Sequence, residues 1–233
     1  MQQEPGSTET EEFMSVAAHD LRNPIAVVRA SAQMAQRQIN RGDAEGAQGR
    51  LTAIVDQTDR LSDMLETFLD AARIGAGRLA LRPDHVDLRE LVEDAASRAR
   101  SLRLGGEHGD RALERAIPEG CVGRWDRPRM TRAVRALLAN ALLYGDPNAP
   151  VHIAAHQQDG RVHLIISGGG PGPDADEALH LFERFYRGRS AAEAGQSGSG
   201  LGLFTARGIA RMHGGEVRRL ERDTFELELP LTE

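Results

Sequence analysis

Residues 16–28, VAAHDLRNPIAVV, decide how the first third of the chain is read. Apolar positions at 17, 21, 24 and 28 recur at spacings of four and three, the mark of an amphipathic helix with a narrow seam. Each helical residue turns the side chain by about 100°, so His19 points nearly opposite Ala17 and Leu21 and faces solvent. An exposed imidazole is neutral near pH 7 and is then a competent nucleophile. Asn23 stacks on the same face four residues on, with Arg22 beside it. Asp20 diverges around the helix, so spacing alone does not select it as a base. Pro24 removes one backbone hydrogen bond and bends the helix. Taken singly, an exposed histidine is an ordinary surface residue.

Outward from this stretch the same period runs through 13, 17, 21, 24, 28, 32, 35 and 39. NRGDAEGAQG (40–49), with three glycines, reads as a turn. A second seam follows at Leu51, Ile54, Val55, Thr58, Leu61, Leu65, Phe68 and Ala72, and IGAG (74–77) stops that helix. Two long amphipathic helices make a hairpin. A hairpin alone leaves much of its seam wet, so the pattern predicts a homodimer through residues 13–75, a four-helix bundle; packing of the hairpin on its own chain is the other solution. Residues 1–12 read as a disordered lead-in.

From residue 78 to 233 the pattern changes to a mixed α/β sandwich with a mostly antiparallel sheet. RLALRPDHVDLRELVEDAASRARSL (78–102) is a short strand, a capped turn and a helix starting near Asp87. CVGRWD (121–126) is a strand whose Asp126 caps a helix with Pro128 in its first turn. That helix buries Met130, Val134, Leu137, Leu138 and Ala141. VHIAAHQ and RVHLIIS pair across a QDG turn, and EVRRLE and TFELELP close the chain after a helix from about Leu201 to Met212.

Composition bounds the function. Apolar residues make up 40% and charged residues 27% of 233, with a net charge of −6 and scattered arginines, so no nucleic-acid footprint shows. The single cysteine, Cys121, permits neither an intrachain disulfide nor a multi-cysteine zinc site. The acidic, polar start MQQEPGSTETEEF is unlike a signal peptide, and no apolar run reaches the ~18 residues of a membrane span. A cytoplasmic piece is expected, with room for a sensor domain upstream.

HDLRNP (19–24) resembles the phospho-acceptor box of two-component histidine kinases, and the hairpin is similar to their dimerisation and phosphotransfer domain. The second half resembles their GHKL, or Bergerat, ATP-binding lobe. RAVRALLANALLYGDP (132–147) looks like the asparagine box, IISGGGPGP (165–173) the first glycine box, LFERFYRG (181–188) the phenylalanine box and GSGLGL (198–203) the second glycine box, all in family order. The resemblance implies that His19 accepts a phosphoryl group, that Asp20 polarises its other ring nitrogen, and that Asn23 orients a dephosphorylating water. It implies ATP and Mg²⁺ as cofactors, with Asn140 offering its amide oxygen to the metal. Tyr144, Gly170, Gly172 and Arg187 would line the nucleotide site. Gly198, Gly200, Leu201 and Gly202 would bring backbone N–H groups to phosphate at a helix start. Phe182 and Phe185 would pack a lid on the core. The partner implied is a response regulator receiver domain.

Three positions depart from the family pattern. Gly168 stands where the family has an aspartate that accepts a hydrogen bond from the adenine amino group. Ala136 stands for a first asparagine, and Leu143 for a basic residue. A charged hydrogen bond is worth about 1.5–3 kcal/mol, roughly ten- to a hundredfold in affinity. Two readings follow: an ATP-dependent histidine kinase core, or a phosphotransfer or phosphatase module whose lobe binds nucleotide weakly or not at all. Restoring Asp at 168, Asn at 136 and Lys at 143 is expected to strengthen binding. A gyrase- or chaperone-like ATPase fits poorly, because the asparagine-box helix lacks the glutamate that activates water.

Overall fold

The computed structural model describes residues 5–102, 111–188 and 199–232, with side chains from residue 14 onward. It divides into two compact units, one reaching to Leu69 and one beginning at Asp70. The division falls inside the second helix rather than at the 75–78 linker expected from the glycines.

The first unit holds α1 (Pro5–Asn40) and most of α2 (Ala44–Gly75). α1 starts at Pro5, so residues 5–12 are helical and not the disordered lead-in expected; proline is preorganised for a helix's first turn, and glutamates 9, 11 and 12 are good helix formers. Pro24 lies within the helix without ending it. The connection is three residues long. Gly42 takes φ +76°, and the Asp43 carboxylate accepts from the Gly46 N–H at 2.9 Å, which caps α2. Gly46 and Gly49 therefore sit inside a helix where the sequence suggested a turn. One cap outweighs two unfavourable propensities.

The seam also sorts more finely than read. On α1 the covered positions are 16, 17, 20, 21, 24, 28, 31, 35 and 38, so Ser31 is buried where Ala32 was expected and Ile39 is exposed. On α2 a heptad stripe of Ala47, Ile54, Leu61 and Phe68 is covered, while Leu51, Val55, Leu65 and Leu69 form a second, exposed stripe. Phe13, the first seam position, lies outside the described side chains.

The second unit begins with the last turns of α2. Asp70, 2% exposed, accepts from Arg132 Nη2 at 2.6 Å and Nε at 3.1 Å, and Ile74 packs on the core. Next come β1 (Asp84–Asp87), α3 (Leu88–Ser101), β2 (Leu113–Ala116), β3 (Val122–Trp125) and α4 (Arg127–Tyr144). β4 (Val151–Gln158), β5 (Arg161–Ser167), α5 (Ala175–His180), α6 (Gly202–Met212), β6 (Glu216–Arg219) and β7 (Thr224–Pro230) follow. Five strands form one sheet in the order β2-β4-β5-β7-β6, antiparallel except for the β2–β4 pair, and β1 pairs with β3 apart from it. β2, in the stretch LERA, carries no alternation that the sequence reading could use. Helices α3, α4 and α6 cover one face, burying Leu91, Val134, Leu138 and Ile209 against Ile153, Leu164 and Leu227. Asp87 and Asp126 cap α3 and α4 as expected, through Arg89 N–H and Arg129 N–H. Among the described residues no helix is long and apolar enough to cross a membrane.

His213, after α6, is buried and neutral: Nδ1–H donates to the Ile209 carbonyl at 2.8 Å, leaving Nε2 to accept from the Asp126 N–H at 2.9 Å. Burial holds its pKa below the ordinary 6.5, against the opposing pull of Ile209 and Asp126. The native state thus refuses a proton that the unfolded chain accepts, and stability falls as pH drops through 6.5 toward the lower native pKa. Urea denaturation across this range is expected to show that slope, flattened in a His213→Asn variant; an unchanged slope would assign the titration elsewhere.

Candidate functional site

His19 projects from α1 with its side chain 73% exposed. Asp20, though adjacent in sequence, reaches it: Oδ1 lies 3.3 Å from His19 Nδ1. Helical spacing alone suggested divergence, but the short carboxylate arm and the χ1 freedom of an exposed imidazole bring the two ends together. With its proton on Nδ1 and held toward Asp20, the ring presents the Nε2 lone pair to solvent. Asn23 is exposed one turn on. This trio lies wholly in the first unit.

The second candidate site lies where α4 ends against the glycine-rich segment after β5. Gly145, Gly168 and Gly170 meet backbone to backbone: a Cβ on Gly170 would overlap the Tyr144 carbonyl oxygen and lie 2.9 Å from Gly145 Cα. The Asp146 N–H donates to the Gly168 carbonyl at 3.0 Å. Gly172, at φ +73°, abuts the main chain of Arg222 in the β6–β7 turn so closely that no side chain fits. Three separate segments therefore form one wall: residues 144–146, 168–172 and 222–223.

Two buried charges in that wall escaped the sequence reading. Arg111 donates to four carbonyls: Nε to Ala149 at 2.8 Å, Nη1 to Ala141 at 2.9 Å, and Nη2 to Gly168 at 2.6 Å and to Pro150 at 3.4 Å. Burial lowers its pKa, with Asp146 and Asp223 acting in the opposite direction. Asp223 is 2% exposed, and its Oδ2 accepts from the Gly170 N–H at 2.9 Å. Neither residue belongs to a recognisable box, and each is more than fifty residues from a partner it binds.

The remaining positions assemble in part. Asn140 is half-buried on α4, four residues before Tyr144. Burial pushes the Tyr144 hydroxyl pKa up, and the charge of Arg187 works against that, so these two lie within electrostatic reach. Gly202 opens α6 beside Ala136, its Cβ position 3.7 Å from the alanine's Cβ. Leu201, fully buried, is the N-cap of α6, and among the described residues no side-chain hydrogen bond caps that helix start. Gly200, at φ +65°, is pressed against the backbone of Phe185 and Tyr186, which joins the phenylalanine box to the second glycine box. Phe182 packs edge-on to Phe225 at 6.3 Å. Gly198 lies outside the described residues. At Gly168 a Cβ would overlap the Ala141 carbonyl oxygen and lie 2.6 Å from Asp223 Oδ2, so the aspartate that the family pattern suggested has no room there.

Comparison with known proteins bears on both sites. Residues 9–77 match the His Kinase A (phospho-acceptor) domain, and residues 125–233 match the family described as Histidine kinase-, DNA gyrase B-, and HSP90-like ATPase. Over 214 residues the chain is 31% identical to the signal transduction histidine-protein kinase BaeS of Escherichia coli K12, covering 88% of this chain and 43% of the relative. Against AfsQ2 of Streptomyces coelicolor, also a signal transduction histidine-protein kinase, identity is 29% over 217 residues, covering 88% and 38%. The chain thus spans about two fifths of the length of these relatives. The solved structure of the Acinetobacter baumannii histidine kinase AdeS aligns with a TM-score of 0.63 at 19% identity, covering 92% of this chain and 98% of that one, which shows a shared fold.

Proposed function

The chain belongs to the two-component histidine kinases, with a phospho-acceptor domain followed by a GHKL-type domain, and from that premise we propose that it transfers the γ-phosphoryl group of ATP to His19 and from there to an aspartate of a response regulator receiver domain. The observation that carries this reading is the exposed imidazole whose Nδ1 is held by Asp20.

Nε2 attacks the γ-phosphorus while the bond from phosphorus to the β,γ-bridging oxygen breaks and ADP leaves. Asp20 stabilises the positive charge that grows on the ring. In the second step the receiver aspartate attacks the same phosphorus, the N–P bond breaks, and neutral His19 is regenerated. Asn23, one turn away, would orient the water that reverses the receiver's phosphorylation.

The second unit has groups suited to a nucleotide. The start of α6 at Leu201 and Gly202 would take phosphate oxygens, with the left-handed Gly200 letting the backbone approach closely. Tyr144, Gly170 and Gly172 would line the base and sugar, Arg187 would reach the phosphates, and the Asn140 amide oxygen would serve Mg²⁺, a hard cation that prefers oxygen ligands. The metal's chemistry is neutralisation of charge on the phosphates.

A second copy of the chain is the expected cover for the hairpin's outer stripe. Leu51, Val55, Leu65 and Leu69 fall within about 80° of one another at 100° per residue, and Met14, Ile25 and Ile39 share a face of α1. Pairing two hairpins buries both stripes.

The test is incubation with γ-labelled ATP and Mg²⁺, followed by chemical challenge of the labelled protein. A phosphoramidate withstands alkali and is lost in acid. Label with the opposite stabilities, or none, would reject the reading.

A further inference from the structure

Asp223 presents an unusual situation. It is 2% exposed, one carboxylate oxygen accepts from the Gly170 N–H at 2.9 Å, and the other, Oδ1, is fully buried with no hydrogen-bond partner. A buried carboxylate oxygen without a donor is costly, and native structures keep such groups where a ligand or water completes them. The carboxylate stands 2.6 Å from the point where a side chain on Gly168 would begin. It therefore fills, from the β6–β7 turn, the space next to the first glycine box.

The chemistry of the missing donor can be narrowed. Arg111 lies within electrostatic reach of Asp223 and has its own N–H groups committed to four carbonyls. A second cation is disfavoured beside that guanidinium, so a divalent metal is a poor partner for Oδ1 and a neutral N–H donor is a good one. The wall also carries Tyr144 and the Gly168–Gly172 backbone, which suit a flat ring rather than a flexible chain.

We infer that Asp223 is the base-recognising residue of the nucleotide site, its Oδ1 accepting a hydrogen bond from the exocyclic amino group of a purine while Oδ2 fixes the loop at Gly170. The assignment rests on the nucleotide reading above and deepens it. Asp223 takes the role open at Gly168, reaching the base from a different element.

Calorimetric titration of the full chain with ATP and with purine riboside triphosphate, which lacks only the amino group, tests this. Wild type is expected to bind ATP about ten- to a hundredfold more tightly than the analogue. In Asp223→Asn one acceptor must serve both Gly170 and the base, so affinity for ATP falls by a similar factor while affinity for the analogue changes little, and the two become nearly equal. Melting temperature of the variant without nucleotide checks that the loop is intact; if the variant does not fold, the wild-type comparison of the two nucleotides still decides. Tight ATP binding with no preference over the analogue, or equal weakening of both by the substitution, overturns the assignment and leaves the kinase reading standing. Failure of wild type to bind either nucleotide overturns both.

Discussion

A His19→Ala chain takes up no phosphate from γ-labelled ATP, yet binds ATP as wild type does. The two halves of this result have separate causes. Loss of labelling is complete because the acceptor atom is gone: among groups near position 19, Asp20 and Asn23 offer a carboxylate and an amide, neither of which forms a stable phosphoramidate. Nucleotide affinity is untouched because His19 lies in the first unit, whereas Asn140, Tyr144, Gly170, Gly172, Arg187 and the start of α6 lie in the second. Phosphorylation assay and calorimetry on the same preparation check both halves. Label persisting on the variant would move the acceptor elsewhere. Lost affinity would mean that the substitution disturbs more than the imidazole.

The second large effect is on stability. Gly168→Asp, which the family pattern suggested as a repair, is expected to destabilise the second unit by about 3 kcal/mol or more, and to bind nucleotide no better than wild type. The clash begins at the first side-chain atom, which overlaps a main-chain carbonyl of α4. Beyond it, a new carboxylate would be driven against Asp223 in a buried place. Gly168→Ala is therefore expected to recover only part of the loss, since it removes the charge conflict and keeps the steric one. Chemical denaturation of the three chains orders them wild type, alanine, aspartate. A stable aspartate variant would show that the wall yields more easily than its backbone contacts suggest.

These residues also show where sequence reading stops. The hairpin, the caps at Asp87 and Asp126, the strand pair across Asp159 and Gly160 and the buried stripe of α4 all follow from local rules, in which a residue is judged by neighbours within a turn or two. The same rules misjudged Gly46 and Gly49, because the Asp43 cap was given less weight than two glycines. They placed Asp20 away from His19 because a period of 100° describes Cβ directions and not the reach of a side chain's end. They mixed the two stripes of α2, since one pattern served a covered and an exposed face. Arg111 and Asp223 were beyond reach altogether. Their partners are set by the meeting of β4, β5 and the β6–β7 turn, and nothing within ten residues of either signals it.

The strand order has a consequence for how the chain is made. β7 is the last strand in sequence but lies between β5 and β6, hydrogen-bonded along both edges. Until residue 230 has cleared the ribosome, β5 has an open edge where Leu227 and Leu229 belong, and the turn bearing Asp223 has no support. The nascent hairpin can form helix early, from local contacts. The sheet waits for its final seven residues, and a chain cut before Thr224 would expose an unpaired apolar strand to aggregation.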